Sequence, residues 1–80
     1  MASKEEVQEK LIEFTARVFK IEAESLTADS SYSADLAAKS VQYNSVIAWM
    51  EAEYDVPVNF PEFRKRDTIG ECAAYIAGLL

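Results

Sequence analysis

One serine in this chain, Ser40, stands where a side-chain oxygen could do chemistry in the open. The run Asp35-Leu36-Ala37-Ala38-Lys39-Ser40-Val41 places it where an irregular polar stretch gives way to an apolar-periodic helix. A hydroxyl at such a boundary is exposed, and a group attached to it would leave the surface freely. If that oxygen carried a phosphodiester, the positive end of the helix dipole and the unpaired first-turn N–H groups would favour the anion. Ser40 is therefore a candidate attachment point for a phosphate-linked group. A serine at a helix start is also commonly just an N-cap, and at this single position both readings stand. Few other chemistries are open. The chain has one cysteine and no histidine, which excludes a disulfide framework, the usual His/Cys metal sites and histidine-based acid–base catalysis.

The elements that must position Ser40 follow from periodicity. Ser3 followed by Glu6 fits a capping box, and Val7, Leu11, Phe14 and Val18 then recur at helical spacing. A first helix is predicted from Lys4 to Phe19, with Lys20 in its last turn. A long connection follows, residues 21–39, rich in Ser, Ala, Asp and Thr, with Ile21, Leu26, Tyr32 and Leu36 expected to anchor it to the core. Loops of that length in so small a chain tend to be functional. A second helix is predicted from Ser40 to Tyr54, burying Tyr43, Ile47, Met50 and Tyr54 with Val46 beside them, and ending before Pro57. Asn59 to Arg66 holds a short helical turn with Phe60 and Phe63 buried. Asp67 is expected to cap a last helix whose Ile69, Cys72, Ala73, Ile76 and Leu80 share one face. The expected fold is all-α, a small four-helix bundle of three principal helices and a short one, forming a single domain over residues 1–80.

Bulk composition agrees. The 80 residues are 50% hydrophobic and contain only two glycines, the signature of a globular helical chain rather than a disordered one. The N-terminal stretch has no apolar leader-like run, and no segment approaches transmembrane length, so a reducing cytoplasm without membrane insertion is the expectation. The net charge of −6 argues against nucleic acid as a partner. It is unevenly spread. Acidic residues crowd the first third, Arg64-Lys65-Arg66 forms a basic knot, and no charged residue lies between Ser40 and Met50.

With these residues in place, the chain resembles acyl carrier proteins. That family's hallmark is an Asp-Leu-Gly-x-Asp-Ser-Leu run at the start of a helix that closes on acidic residues and an aromatic. Asp35 to Val41 stands in that place, and Glu51-Ala52-Glu53-Tyr54 closes the helix. Leu26 to Tyr32 upstream, and Asp67-Thr68-Ile69 and Tyr75-Ile76 downstream, extend the likeness over nearly the whole chain. The resemblance implies that a phosphopantetheinyl transferase esterifies Ser40 with 4′-phosphopantetheine from coenzyme A. The arm's thiol, and not Cys72, would carry an acyl group as a thioester. The protein would catalyse nothing itself. It would shelter the acyl chain between its helices and present it to acyl-loading, elongating or acyl-transferring enzymes of fatty-acid, specialised lipid or polyketide synthesis, as a monomer. Small residues on the last helix, Ala73, Ala74 and Ala77, could open space for that chain.

Departures from the family pattern surround the serine. Lys39 replaces the aspartate that in the family helps dock the transferase, reversing a charge beside the attachment point. Ala37 replaces a glycine; an alanine resists positive φ, so the loop is expected to take another conformation. Val41 replaces leucine. The second helix offers Gln42, Asn44 and Ser45 where the family presents carboxylates, with Trp49 nearby. Asp35, Leu36, Lys39, Val41, Gln42, Ser45 and Trp49 are accordingly the candidate partner-binding residues, although Trp49 on its own fits the core slightly better. Arg64-Lys65-Arg66 reads as a solvated face pairing loosely with the acidic first helix or the loop, or as a partner-docking patch. Two other classes remain: a peptidyl or aminoacyl carrier using the same serine chemistry, and an unmodified helical adaptor. An enzyme is least favoured, since the serine has no histidine partner.

Overall fold

Ser3 opens the first element as the spacing requires. In the computed structural model, which describes residues 2–80, its hydroxyl accepts the Glu6 N–H at 3.2 Å, and Glu6 Oε1 accepts the Ser3 N–H at 3.4 Å. The capping box starts α1 (Lys4–Phe19), which Lys20 ends in the left-handed conformation. A single 3₁₀ turn (Ala23–Ser25) follows, then α2 (Ser40–Tyr54), α3 (Phe60–Arg66) and α4 (Ile69–Ala77). The fold is the expected small all-α bundle, with α1 packed chiefly on α4 and α2, and the short α3 bridging α2 and α4.

Burial of the helix stripes follows the periodicity. Val7, Leu11 and Phe14 of α1 meet Tyr43, Val46, Ile47 and Met50 of α2 and Ile69, Cys72, Ala73 and Ile76 of α4 in one core. Burial pushes the Cys72 thiol up to about 12, and its S–H reaches the Phe63 carbonyl at 3.2 Å, so it behaves as a small core residue. Some positions pack less fully than expected. Tyr54 and Phe60 are only half-buried, Leu80 lies beyond the end of α4, and of Ala73, Ala74 and Ala77 only Ala73 is buried, with Ala74 exposed. Each lies near a helix end or on the rim of a stripe, where packing is one-sided.

The long connection is more ordered than its composition suggests. Leu26 and Tyr32 are buried as anchors, and Leu36 is half-buried, whereas Ile21 is 39% exposed because the chain turns outward after Lys20. Tyr32 is the main anchor. Its hydroxyl shares a buried hydrogen bond of 2.8 Å with Thr15 Oγ1 on α1, and burial holds its phenol well above the ordinary tyrosine value. Residues 28–32 also run beside the start of α4. The Tyr32 N–H donates to the Asp67 carbonyl at 2.9 Å, the Ile69 N–H to Ser30 at 3.0 Å and the Gly70 N–H to Ala28 at 2.9 Å. A Cβ on Gly70 would stand 3.0 Å from the Ala28 Cβ, so glycine permits this close approach.

Asp67 does not cap α4. Thr68 does, accepting the Glu71 N–H at 3.3 Å. Asp67 sits at φ 67° after α3 and turns its carboxylate to the loop, where Ser31 Oγ donates to it at 2.5 Å and the Ser33 N–H at 3.1 Å. The carboxylate faces the loop, and the cap falls to the next residue in the chain.

Candidate functional site

The segment before Ser40 is wound around Ser31. The Ser31 carbonyl accepts the N–H groups of Asp35 and Leu36, and its own N–H donates to Asp35 Oδ2 at 2.8 Å. The Ala34 N–H reaches Ser31 Oγ at 3.0 Å, and the Ala38 N–H reaches the Tyr32 carbonyl at 2.8 Å. To complete this turn, Ala37 adopts φ 48°, the positive value that an alanine was expected to avoid. The fixed hydrogen bonds on either side outweigh the local strain, which is of order 1–2 kcal/mol.

The structure separates the two readings of Ser40. Lys39, with φ −101° and ψ 165°, occupies the N-cap position, and Ser40 is the first residue of α2. No side chain caps the helix at that position; instead the Gln42 side chain reaches back and its Oε1 accepts the Lys39 N–H at 2.8 Å. The Ser40 hydroxyl is exposed and joins no hydrogen bond among the described residues. As the first two residues of the helix, Ser40 and Val41 have no carbonyl a turn earlier for their N–H groups. These donors, the positive helix end and the adjacent exposed Lys39 ammonium make a setting that a phosphodiester on Ser40 Oγ fits.

The other candidate residues divide. Val41 is 68% exposed and Trp49 41% exposed, and Lys39 is exposed at the helix start. Gln42 and Ser45 are half-buried and bonded to their own helix, Ser45 Oγ donating to the Val41 carbonyl at 3.0 Å. Asp35 is exposed but spends its carboxylate on the loop, and Leu36 packs against the core. Trp49 is not core. Its ring stands edge-on to Phe14, with centroids 5.1 Å apart and planes at 82°, and the Arg17 guanidinium lies 5.9 Å from its centre. Glu53 lines the same groove as Trp49, and Ala48 and Ala52 are likewise exposed on α2. Both fall seven residues after partner candidates (Val41 and Ser45), a spacing that marks them out.

The basic knot does not pair with α1 or the loop. Arg66 meets Glu62 of its own helix at 3.4 Å and lies 4.9 Å from the centre of the Tyr75 ring, while Arg64 lies 5.6 Å from that of Tyr43. Among the described residues no cluster of side chains is fit to hold a metal ion, and no helix is long and apolar enough to cross a membrane.

Comparison with known proteins decides the family. The family model described as "phosphopantetheine attachment site" matches residues 9–76, which include the whole wound loop, Ser40 and α2. The chain belongs to this carrier family. It is also 28% identical to an acyl carrier protein of Lactobacillus acidophilus over 74 residues, 92% of each chain. The cofactor of the family is 4′-phosphopantetheine, attached covalently. Membership also implies a transferase that installs the arm and enzymes that handle its acyl group.

Proposed function

We propose that Ser40 is the residue to which 4′-phosphopantetheine is joined, and that the chain is a non-catalytic acyl carrier. The observation that carries the reading is the Ser40 hydroxyl itself, exposed at the first position of α2 and free of capping because Lys39 holds the N-cap position. The likeness to a bacterial acyl carrier protein favours acyl over peptidyl or aminoacyl cargo. In this reading Ser40 binds the arm, the N–H groups of Ser40 and Val41 orient its phosphate, and Lys39 partly offsets the anion, a small effect for a hydrated side chain. The cofactor supplies a thiol that holds acyl groups as thioesters.

The carrier works in the cytoplasm as a monomer with fatty-acid, specialised lipid or polyketide enzymes. Its partners differ from those that read an acidic helix. Val41, Ala48, Ala52 and Trp49 offer apolar contact, and charge steering from this side is weak. Incubation with coenzyme A and a broad-specificity phosphopantetheinyl transferase tests the assignment by intact mass. A phosphopantetheine-sized gain that Ser40→Ala abolishes, with the helical circular dichroism unchanged, is the expected result. No gain with several transferases would leave an unmodified helical adaptor.

A further inference from the structure

A long acyl chain tethered at Ser40 would leave water wherever the protein gave it room, because apolar surface is expelled from solvent. The interior nearest to Ser40 lies behind Tyr43, three residues further along α2 and so one turn away. That way in is filled. Tyr43 is 2% exposed, and its ring centre lies 5.6 Å from that of Tyr32, 5.8 Å from Phe60 and 6.4 Å from Phe63. The Arg64 guanidinium covers the ring from outside at 5.6 Å. Tyr32 and Phe63, both fully buried, pack on each other at 5.4 Å, and the Thr15 hydrogen bond fixes the Tyr32 ring in place.

The more pronounced surface grooves among the described residues lie elsewhere. One of about 690 Å³ runs between Lys4, Ala28, Arg66 and Glu71, and one of about 310 Å³ between Glu6, Lys10, Glu13 and Glu53. Both are open and edged by charges. A third, of about 410 Å³, lies outside the bundle beside Trp49 and Arg17. To admit a chain past Tyr43, rigid rings would have to move within an interior packed to crystal-like density, and rings lack the adaptability that methionine would bring.

We propose that Tyr43, Phe60, Phe63 and Tyr32 form an aromatic plug that closes the interior to the cargo, and that this carrier handles short acyl groups. A group of roughly two to four carbons exposes too little apolar area to need an interior. The proposal rests on the carrier reading above, and its test separates the two. The full chain is loaded by a broad-specificity transferase from acetyl-, butyryl-, octanoyl- and dodecanoyl-coenzyme A, and intact mass reports each loading. Thermal midpoints and the NMR shifts of the Val46, Ile47 and Ile76 methyls are then compared across the series. The expected result is a midpoint constant to within about 2 °C and core methyls that do not respond to chain length. A midpoint that climbs with chain length, together with shifted core methyls, would overturn the proposal while leaving the carrier reading intact. Phe60→Ala removes a half-buried ring without emptying the core, and it is expected to create that dependence. A flat series in this variant would overturn the role given to the ring cluster. Failure of every acyl-coenzyme A to load would overturn the carrier reading, and the plug proposal with it.

Discussion

Ala37 holds φ at 48° in the loop that leads to Ser40, a conformation in which a Cβ crowds the following carbonyl. Ala37→Gly removes that crowding but frees the unfolded chain, and the two effects oppose each other. Because the loop is held by several hydrogen bonds, relief of strain wins: the variant is expected to be more stable by about 0.5–1 kcal/mol in urea unfolding. Asp67 works at the same scale. The hydrogen bond from Ser31, then those from Ser33, hold its carboxyl below the usual aspartate value despite some desolvation. A carboxyl with a lowered folded-state pKa contributes stability that is present above its unfolded value and is lost as pH falls through the folded one. The acid limb of a urea-midpoint titration should therefore flatten in Asp67→Asn, and an unchanged limb would show that the carboxylate is not coupled to folding.

Helix α2 begins with a cation at its positive end, against the usual preference. Lys39→Asp supplies both a side-chain acceptor for the first turn and a favourable charge, and is expected to stabilise the protein by about 1 kcal/mol. The same variant, assayed with several phosphopantetheinyl transferases, tests whether Lys39 selects among them: equal turnover of both proteins by every transferase would leave it a surface residue. Thr68→Ala, which removes the α4 cap, should cost about 1 kcal/mol by the same measurement. The bounds of α1 and α2 were legible because a capping box, a clear apolar period and a residue before proline act locally. Asp67 and Trp49 were not. Asp67 can serve either a helix behind it or a loop far away in sequence, and only tertiary packing brings Ser31 within reach. Trp49 lies at the edge of the α2 stripe, where spacing alone leaves its side undecided; the Phe14 edge contact holds it half in solvent. Ala37 misled for a related reason, since intrinsic preference yields to a loop fixed at both ends.

The whole molecule carries a net charge of −6. The ion pairs among the described residues, Lys10–Glu13, Arg17–Glu13 and Arg66–Glu62, lie within single helices at the surface and add little. Self-repulsion therefore opposes the compact state, and the urea midpoint should rise as sodium chloride increases from low concentration to about 0.15 M, where the Debye length falls to about 8 Å. A midpoint that falls over that range would show that local pairs outweigh the net charge. Binding through the Val41, Ser45, Ala48 and Ala52 strip of α2 should respond far less to salt than binding through an acidic helix would.

The clasp between Ser31, Ser33 and Asp67 also sets an order in time. Translation delivers the loop and Ser40 before it delivers Asp67, and α1 must wait for α4 before most of its buried face has a neighbour. A chain cut after Arg66 would display the serine on a loop with no clasp to shape it. We expect that truncated chain to be a much poorer transferase substrate than the chain that carries Asp67 and α4. Equal rates would mean that the enzyme reads the unfolded segment. A slower truncated chain would instead place the maturation of this carrier after its synthesis, with α4 licensing the modification of α2.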